Sequence, residues 1–180
     1  LGCRTVPLAM DARGTSAARD LGLLARLARL VRTERPDVVL TYTIKPNIYG
    51  ALAARLAGVP VVATVTGLGT AFLAPGTAAM VARPLYRLAF RGAATVVFQN
   101  TADRDVFIED GLVAAGRTAL VPGSGVDLAR FRPAPLPVDT PPRFLFVGRL
   151  LAEKGVGEFV EAARRIGPAK ARFALLGAAP

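Results

Sequence analysis

PDVVLTYTIKPNIYGALAARLAGVPVVATVTG, from Pro36 to Gly67, decides the fold. Two short apolar and β-branched runs, Val38–Tyr42 and Val61–Val65, flank the alanine- and leucine-bearing stretch Asn47–Ala57. The runs read as strands and the stretch between them as a helix, which makes a βαβ unit with parallel strands. The uninterrupted VVL and VVATV suit strands covered on both faces. The same alternation extends outward in both directions. Arg4–Leu8, Thr95–Phe98 and Thr118–Val121 read as further strands, and Asp20–Glu34, Ala78–Arg91 and Ala102–Asp110 as further helices. Strands alternating with helices of this size predict an α/β, Rossmann-like lobe built on a parallel sheet.

The alternation breaks at Arg132–Pro142, RPAPLPVDTPP, where five prolines in eleven positions remove backbone donors and hold the chain extended. Beyond this linker one more unit follows: strand Arg143–Val147, a helix from Gly155 to Ile166, and strand Arg172–Leu176. One βαβ unit does not enclose a core, so residues 143–180 read as the start of a second, truncated Rossmann-like lobe. Residues 1–131 form the first lobe, itself incomplete at its N-terminus because Arg4–Leu8 follows no glycine-rich turn. The expectation is a middle fragment of a two-lobed protein, inactive by itself.

Composition narrows the chemistry. The 180 residues, 52% hydrophobic and 20% charged, suit a globular protein and exclude disorder. Histidine is absent, which excludes Ser-His-Asp and Cys-His triads, and the single Cys3 excludes internal disulfides and cysteine-rich zinc sites. The net charge of +10 favours phosphates, nucleic acid or an anionic membrane surface. Of 23 basic residues only Lys45, Lys154 and Lys170 are lysine, so the lysines stand out in an arginine-biased chain. Residues 56–82 carry no charge, but Gly58, Pro60, Gly67, Gly69, Pro75 and Gly76 break any spanning helix there. No basic-then-apolar leader is visible, and a cytoplasmic location is expected.

Three stretches in order carry a family resemblance: Pro36 to Phe72, then VPGSGVDLARF from Val121 to Phe131, then FLFVGRLLAEKG from Phe144 to Gly155. Together, with the proline-rich linker before the third, they resemble glycosyltransferase family 4, whose members are retaining enzymes of the two-lobed GT-B fold. The likeness covers nearly the whole chain. Within the family it is most similar to transferases that build capsule, O-antigen or exopolysaccharide repeat units on a polyprenyl diphosphate carrier. The resemblance implies an acceptor-binding N-terminal lobe, a nucleotide-sugar-binding C-terminal lobe, and reaction in the cleft between them. It assigns Arg149 and Lys154, in GRLxxEKG, to the donor diphosphate. Gly148 joins them, since a strand ends there and a backbone can approach a ligand. A fixed bidentate guanidinium and a point-charge ammonium near a helix start are a sensible pair for a leaving diphosphate without a metal or other cofactor.

On the acceptor side, Thr43–Asn47, TIKPN, lies at the carboxyl edge of the sheet, where doubly wound folds bind ligands. Lys45 and Asn47 are candidates to face an acceptor diphosphate or sugar; a well-capped turn with a solvated lysine is the alternative. Thr66 and Gly67, opening TGLGTAF after the next strand, are further candidates, although many relatives carry near this strand end a histidine that this chain lacks. The GxG here has no third glycine, so tight turning accounts for it. Asp103 and Asp105 spell DRD, but Asn100 before them suits an N-cap and acids suit a first helical turn, so no metal is expected. Asp127 is expected to hold a turn by side-chain bonds to backbone. Arg26, Arg29 and Arg32, and Arg83, Arg87 and Arg91, form basic helical stripes, either solvated faces or peripheral contacts with the inner face of an anionic membrane. A nucleotide-sugar epimerase of GT-B fold and a phosphate- or nucleic-acid-binding module are the alternatives. The sparse aromatics are not interleaved with the basic residues, and no nucleic acid partner is expected.

Overall fold

The computed structural model describes all residues except 1, 12, 13, 15, 69–76, 136, 137, 139, 179 and 180, with 77–79 described by backbone alone. The chain divides into two compact units, Leu1–Val126 and Asp127–Pro180. The division precedes Asp127, whose turn closes on itself. Its Oδ1 accepts from the amides of Ala129 at 2.9 Å and Arg130 at 3.2 Å, as expected of a side-chain-held turn.

In the first unit, four strands lie parallel in the order β1 (Val39–Tyr42), β2 (Val61–Val65), β3 (Thr95–Phe98) and β4 (Thr118–Leu120). Val39 pairs with Val61, Val62 with Thr95 and Val96 with Thr118. The helices are α1 (Ala17–Glu34), α2 (Ala51–Leu56), α3 (Thr77–Phe90) and α4 (Thr101–Glu109). The longer ones form from a 3.6-residue pattern. In α3, Ala82, Tyr86, Ala89 and Phe90 share one face and are buried. Asn100 caps α4, accepting from the Asp103 amide at 2.7 Å. The core gathers on β2 and β3, where Val61, Ala63, Val65, Val96 and Phe98 are buried. Phe107 fills it, with ring centroids 5.2 Å from Tyr86 and 5.3 Å from Phe98 in edge-on arrangements.

Two sequence expectations change here. Arg4–Leu8 forms no strand. Pro7 removes a ladder donor from its middle, and Arg4 pairs instead with Glu34 at the end of α1. The helix expected over Asn47–Ala57 begins as a π-helix, Pro46–Gly50, before becoming α2.

The second unit holds β5 (Arg143–Val147) and β6 (Arg172–Leu176), paired parallel, with α5 (Val156–Ile166) between them in sequence. Phe159 of α5 contacts Phe146 and Phe173, each at 5.7 Å between centroids. Ala171 is the unit's one buried residue among those described.

Candidate functional site

The carboxyl end of β1 carries three unusual features together. Thr43 has φ 67°, a left-handed conformation that disfavours a β-branched residue by about 1–3 kcal/mol. The π-helix follows directly, a form often found at functional sites. Lys45 between them is not a solvated lysine. Its ammonium donates to Asp20 Oδ1 of α1 at 2.6 Å, and both side chains are mostly buried. Tyr49 donates its hydroxyl to the other oxygen of Asp20 at 3.0 Å. Burial, then the hydrogen bond to Asp20 and its charge, push the Tyr49 phenol up to about 12, so it remains a donor.

The structure places Asn47 differently from the sequence expectation. It is fully buried, so its side chain does not face the loop surface. Its Nδ2 donates to the Thr64 carbonyl at 2.9 Å, tying the π-helix to β2, and its side chain also hydrogen-bonds Tyr86. Its Oδ1 has no partner among the described residues. Burial pushes the Tyr86 phenol above its ordinary value. Thr66 and Gly67 are exposed after β2, Gly67 at φ 140° with open space where a side chain would stand. The remainder of TGLGTAF, from Gly69 on, lies outside the described residues.

Sequence reasoning missed Asp20 and Tyr49. Lys45 and Tyr49 are four apart, a spacing that puts side chains on one helical face, and this signal was available. Asp20 is 25 residues from Lys45, and nothing local marks that pairing.

In the second unit, Arg149 and Lys154 are exposed and form no ion pair with a described residue. Lys154 ends a 3-10 turn, Ala152–Lys154, and Gly155 at φ 79° links this turn to α5. The turn sets Lys154 two residues before α5, and Arg149 precedes the turn in the chain. Gly148 donates its amide to the Leu176 carbonyl at 3.0 Å. A Cβ on Gly148 would meet only the Phe146 ring at 3.5 Å, an ordinary contact, whereas a Cβ on Gly177 would collide with the Gly148 carbonyl. The close backbone approach here thus requires glycine at 177, a position the sequence reading passed over.

Other charged groups have structural partners. Asp105 pairs with Arg104 at 2.9 Å, and among the described residues no cluster of three or more acidic, cysteine or histidine side chains is placed to hold a metal. Arg83 donates to Asp110 at 3.1 Å, and Arg87 donates to the carbonyls of Asp110 at 2.7 Å and Gly111 at 3.1 Å. These two arginines of α3 tie down the C-terminal end of α4, where cations complement the free carbonyls. Arg26 donates to the Ala9 carbonyl at 3.0 Å. Among the described residues no helix is long and apolar enough to cross a membrane.

A glycosyl transferase 4-like domain model matches residues 1–124. The chain is 32% identical over 165 residues to UDP-Gal:alpha-D-GlcNAc-diphosphoundecaprenol alpha-1,3-galactosyltransferase of Escherichia coli, covering 86% of this chain and 42% of that protein. It is 30% identical over 168 residues to N,N'-diacetylbacillosaminyl-diphospho-undecaprenol alpha-1,3-N-acetylgalactosaminyltransferase of Campylobacter jejuni, covering 84% of this chain and 44% of that one. The chain spans less than half the length of these relatives. The crystal structure of Anabaena HepE with UDP and glucose matches with a TM-score of 0.68 at 21% identity, over 94% of this chain and 47% of that one. That likeness shows the fold, an α/β architecture of GT-B type.

Proposed function

We propose that this chain, which belongs to the glycosyl transferase 4-like family, serves an enzyme that moves a sugar from a nucleotide-diphosphate donor to a polyprenyl-diphosphate-linked acceptor in surface polysaccharide synthesis. The observation that carries the reading is the likeness, over more than four-fifths of this chain, to two transferases whose acceptors are diphosphoundecaprenol-linked sugars. The exposed pair Arg149 and Lys154 supports it. In the reaction, the bond between the donor's anomeric carbon and its diphosphate breaks and the electron pair leaves with phosphate. The acceptor hydroxyl oxygen forms the new bond and releases its proton. Arg149 and Lys154 neutralise charge on the departing diphosphate, Arg149 as a two-pronged donor and Lys154 as a point charge, with no metal or other cofactor required. Gly148 places the loop that carries them. Lys45, Thr66 and Gly67 lie on the acceptor side, and Asn47 acts there from inside the core by fixing the π-helix.

The enzyme works on the cytoplasmic side, at the inner face of the membrane that holds its acceptor. Of the basic stripes, Arg29, Arg32 and Arg91 support this attachment best, because Arg83 and Arg87 are engaged with α4. The test is incubation of the full-length protein with UDP-sugars and a polyprenyl-diphosphate-linked N-acetylhexosamine, followed by mass spectrometry. The expected result is one sugar added to the lipid and one UDP released. Isomerisation of the nucleotide sugar without acceptor, or no product with any UDP-sugar, would refute the reading.

A further inference from the structure

We infer that the Asp20–Lys45–Tyr49 cluster binds the hydroxyl groups of a neutral sugar, the saccharide of the acceptor, and not its diphosphate. The inference rests on the acceptor-side reading above and names the chemistry of that site. Its basis is a count of charges and hydrogen-bonding valences. Lys45 and Asp20 are a matched pair at 2.6 Å, so together they present no net charge to an incoming ligand. The ammonium has three N–H donors and spends one on Asp20. Each carboxylate oxygen accepts one bond, from Lys45 or from Tyr49, and retains capacity for another. Among the described residues, what remains is a set of free donors and free acceptors side by side.

A sugar hydroxyl is both donor and acceptor, and two neighbouring hydroxyls can bridge the ammonium and the carboxylate at once. A diphosphate offers acceptors only. It would use the ammonium but set its oxygens against the Asp20 carboxylate at like charge.

The surroundings agree. Asp20 lines a cleft of about 520 Å³ together with Met10, Asp11, Arg19, Leu23 and Arg26. There Arg19 is neutralised by Asp11 at 2.9 Å, and Arg26 is turned to the Ala9 carbonyl. Among the described residues, two of the three cations at this cleft and cluster, Arg19 and Lys45, face carboxylates, an arrangement suited to a polyol. The strained Thr43 and the π-helix hold Lys45 at this place, and the buried Asn47 amide fixes the π-helix to β2.

The test uses the full-length protein with Asp20→Asn and Tyr49→Phe. Steady-state rates are measured with a polyprenyl-diphosphate-linked N-acetylhexosamine, and sugar-free polyprenyl diphosphate is the competitor. Loss of one hydrogen bond to a charged group predicts an acceptor KM raised about 10- to 100-fold in Asp20→Asn and less in Tyr49→Phe. The donor KM and the inhibition constant of the sugar-free diphosphate stay unchanged in both. Weakening of the sugar-free competitor in step with the saccharide acceptor would overturn the inference, as would an unchanged acceptor KM in a folded variant. A parallel fall of every parameter with thermal stability would mark the cluster as structural and also overturn it. If Asp20→Asn does not fold, Tyr49→Phe decides. A direct titration keeps the inference separate from the transferase reading. Methyl N-acetylglucosaminide, and not inorganic pyrophosphate, should shift the Tyr49 ring resonances of the wild-type protein, whether or not transfer is observed. A shift by pyrophosphate alone, or by neither, contradicts it.

Discussion

The two units are written in the same βαβ grammar, yet they bury very different shares of their strands. In the first unit, β2 and β3 are central strands, and Val61, Ala63, Val65, Val96 and Phe98 lie out of reach of water. In the second, Phe144, Leu145, Val147, Leu175 and Leu176 are equally apolar and all exposed. Among the described residues, a four-stranded sheet with four α-helices encloses a core, and a two-stranded sheet with one α-helix covers part of one face. An apolar run therefore specifies that a strand forms and pairs, while its burial depends on how many neighbours share the layer. The polar groups follow the same division. Lys45 is paired and mostly buried on the packed unit, and Lys154 is exposed on the open one and forms no ion pair with a described residue.

The largest expected effect tests the packing half of that contrast. Phe107→Ala should destabilise the first unit by about 3–5 kcal/mol, whereas Phe159→Ala in the second should cost under about 2 kcal/mol, because its ring is only half buried. Denaturant unfolding followed by hydrogen exchange of Val96 and Leu145 resolves the two units. Equal losses would show that the second unit packs as tightly as the first.

Next in size is the pair of lysines. Lys45→Ala leaves the Asp20 carboxylate mostly buried without its cation and should cost about 3 kcal/mol. Lys154→Ala should alter stability by no more than about 0.5 kcal/mol. Similar melting shifts in the two variants would erase the distinction.

The glycines sharpen it within the second unit. Gly177→Ala must push back the Gly148 carbonyl and is expected to cost about 1–3 kcal/mol, while Gly148→Ala meets only an ordinary ring contact and should be nearly neutral. Smaller again is Asn100→Ala, which removes the α4 cap for about 1 kcal/mol by thermal unfolding.

The strands and helices were legible because their signal is local. Periods of 2 and 3.6 and the turn residues between them place all six strands of the described residues, and Asn100 announces its helix. What was not legible depends on residues far apart in the chain. The Lys45–Asp20 pair joins the start of α1 to the end of β1, and no spacing rule reports it. Asn47 looked like a surface residue because asparagine usually is one. Only the arrival of Thr64 and Tyr86 beside it explains how its amide is accommodated inside. Arg83 and Arg87 read as part of a stripe that either is solvated or meets a membrane, until Asp110 and Gly111 came to meet them. Arg4–Leu8 had strand composition without a strand, because Pro7 and the pairing of Arg4 with Glu34 favour another path.

The measurement that bears most directly on the proposed chemistry is turnover in full-length Lys154→Ala and Arg149→Ala proteins at saturating donor and acceptor. Fixed cations aimed at a departing diphosphate predict a loss of about 100- to 1,000-fold in each. Melting temperature and acceptor KM should remain those of the wild type, and Arg149→Lys should recover little. Near wild-type turnover in both alanine variants would contradict the assignment and move the diphosphate to other residues.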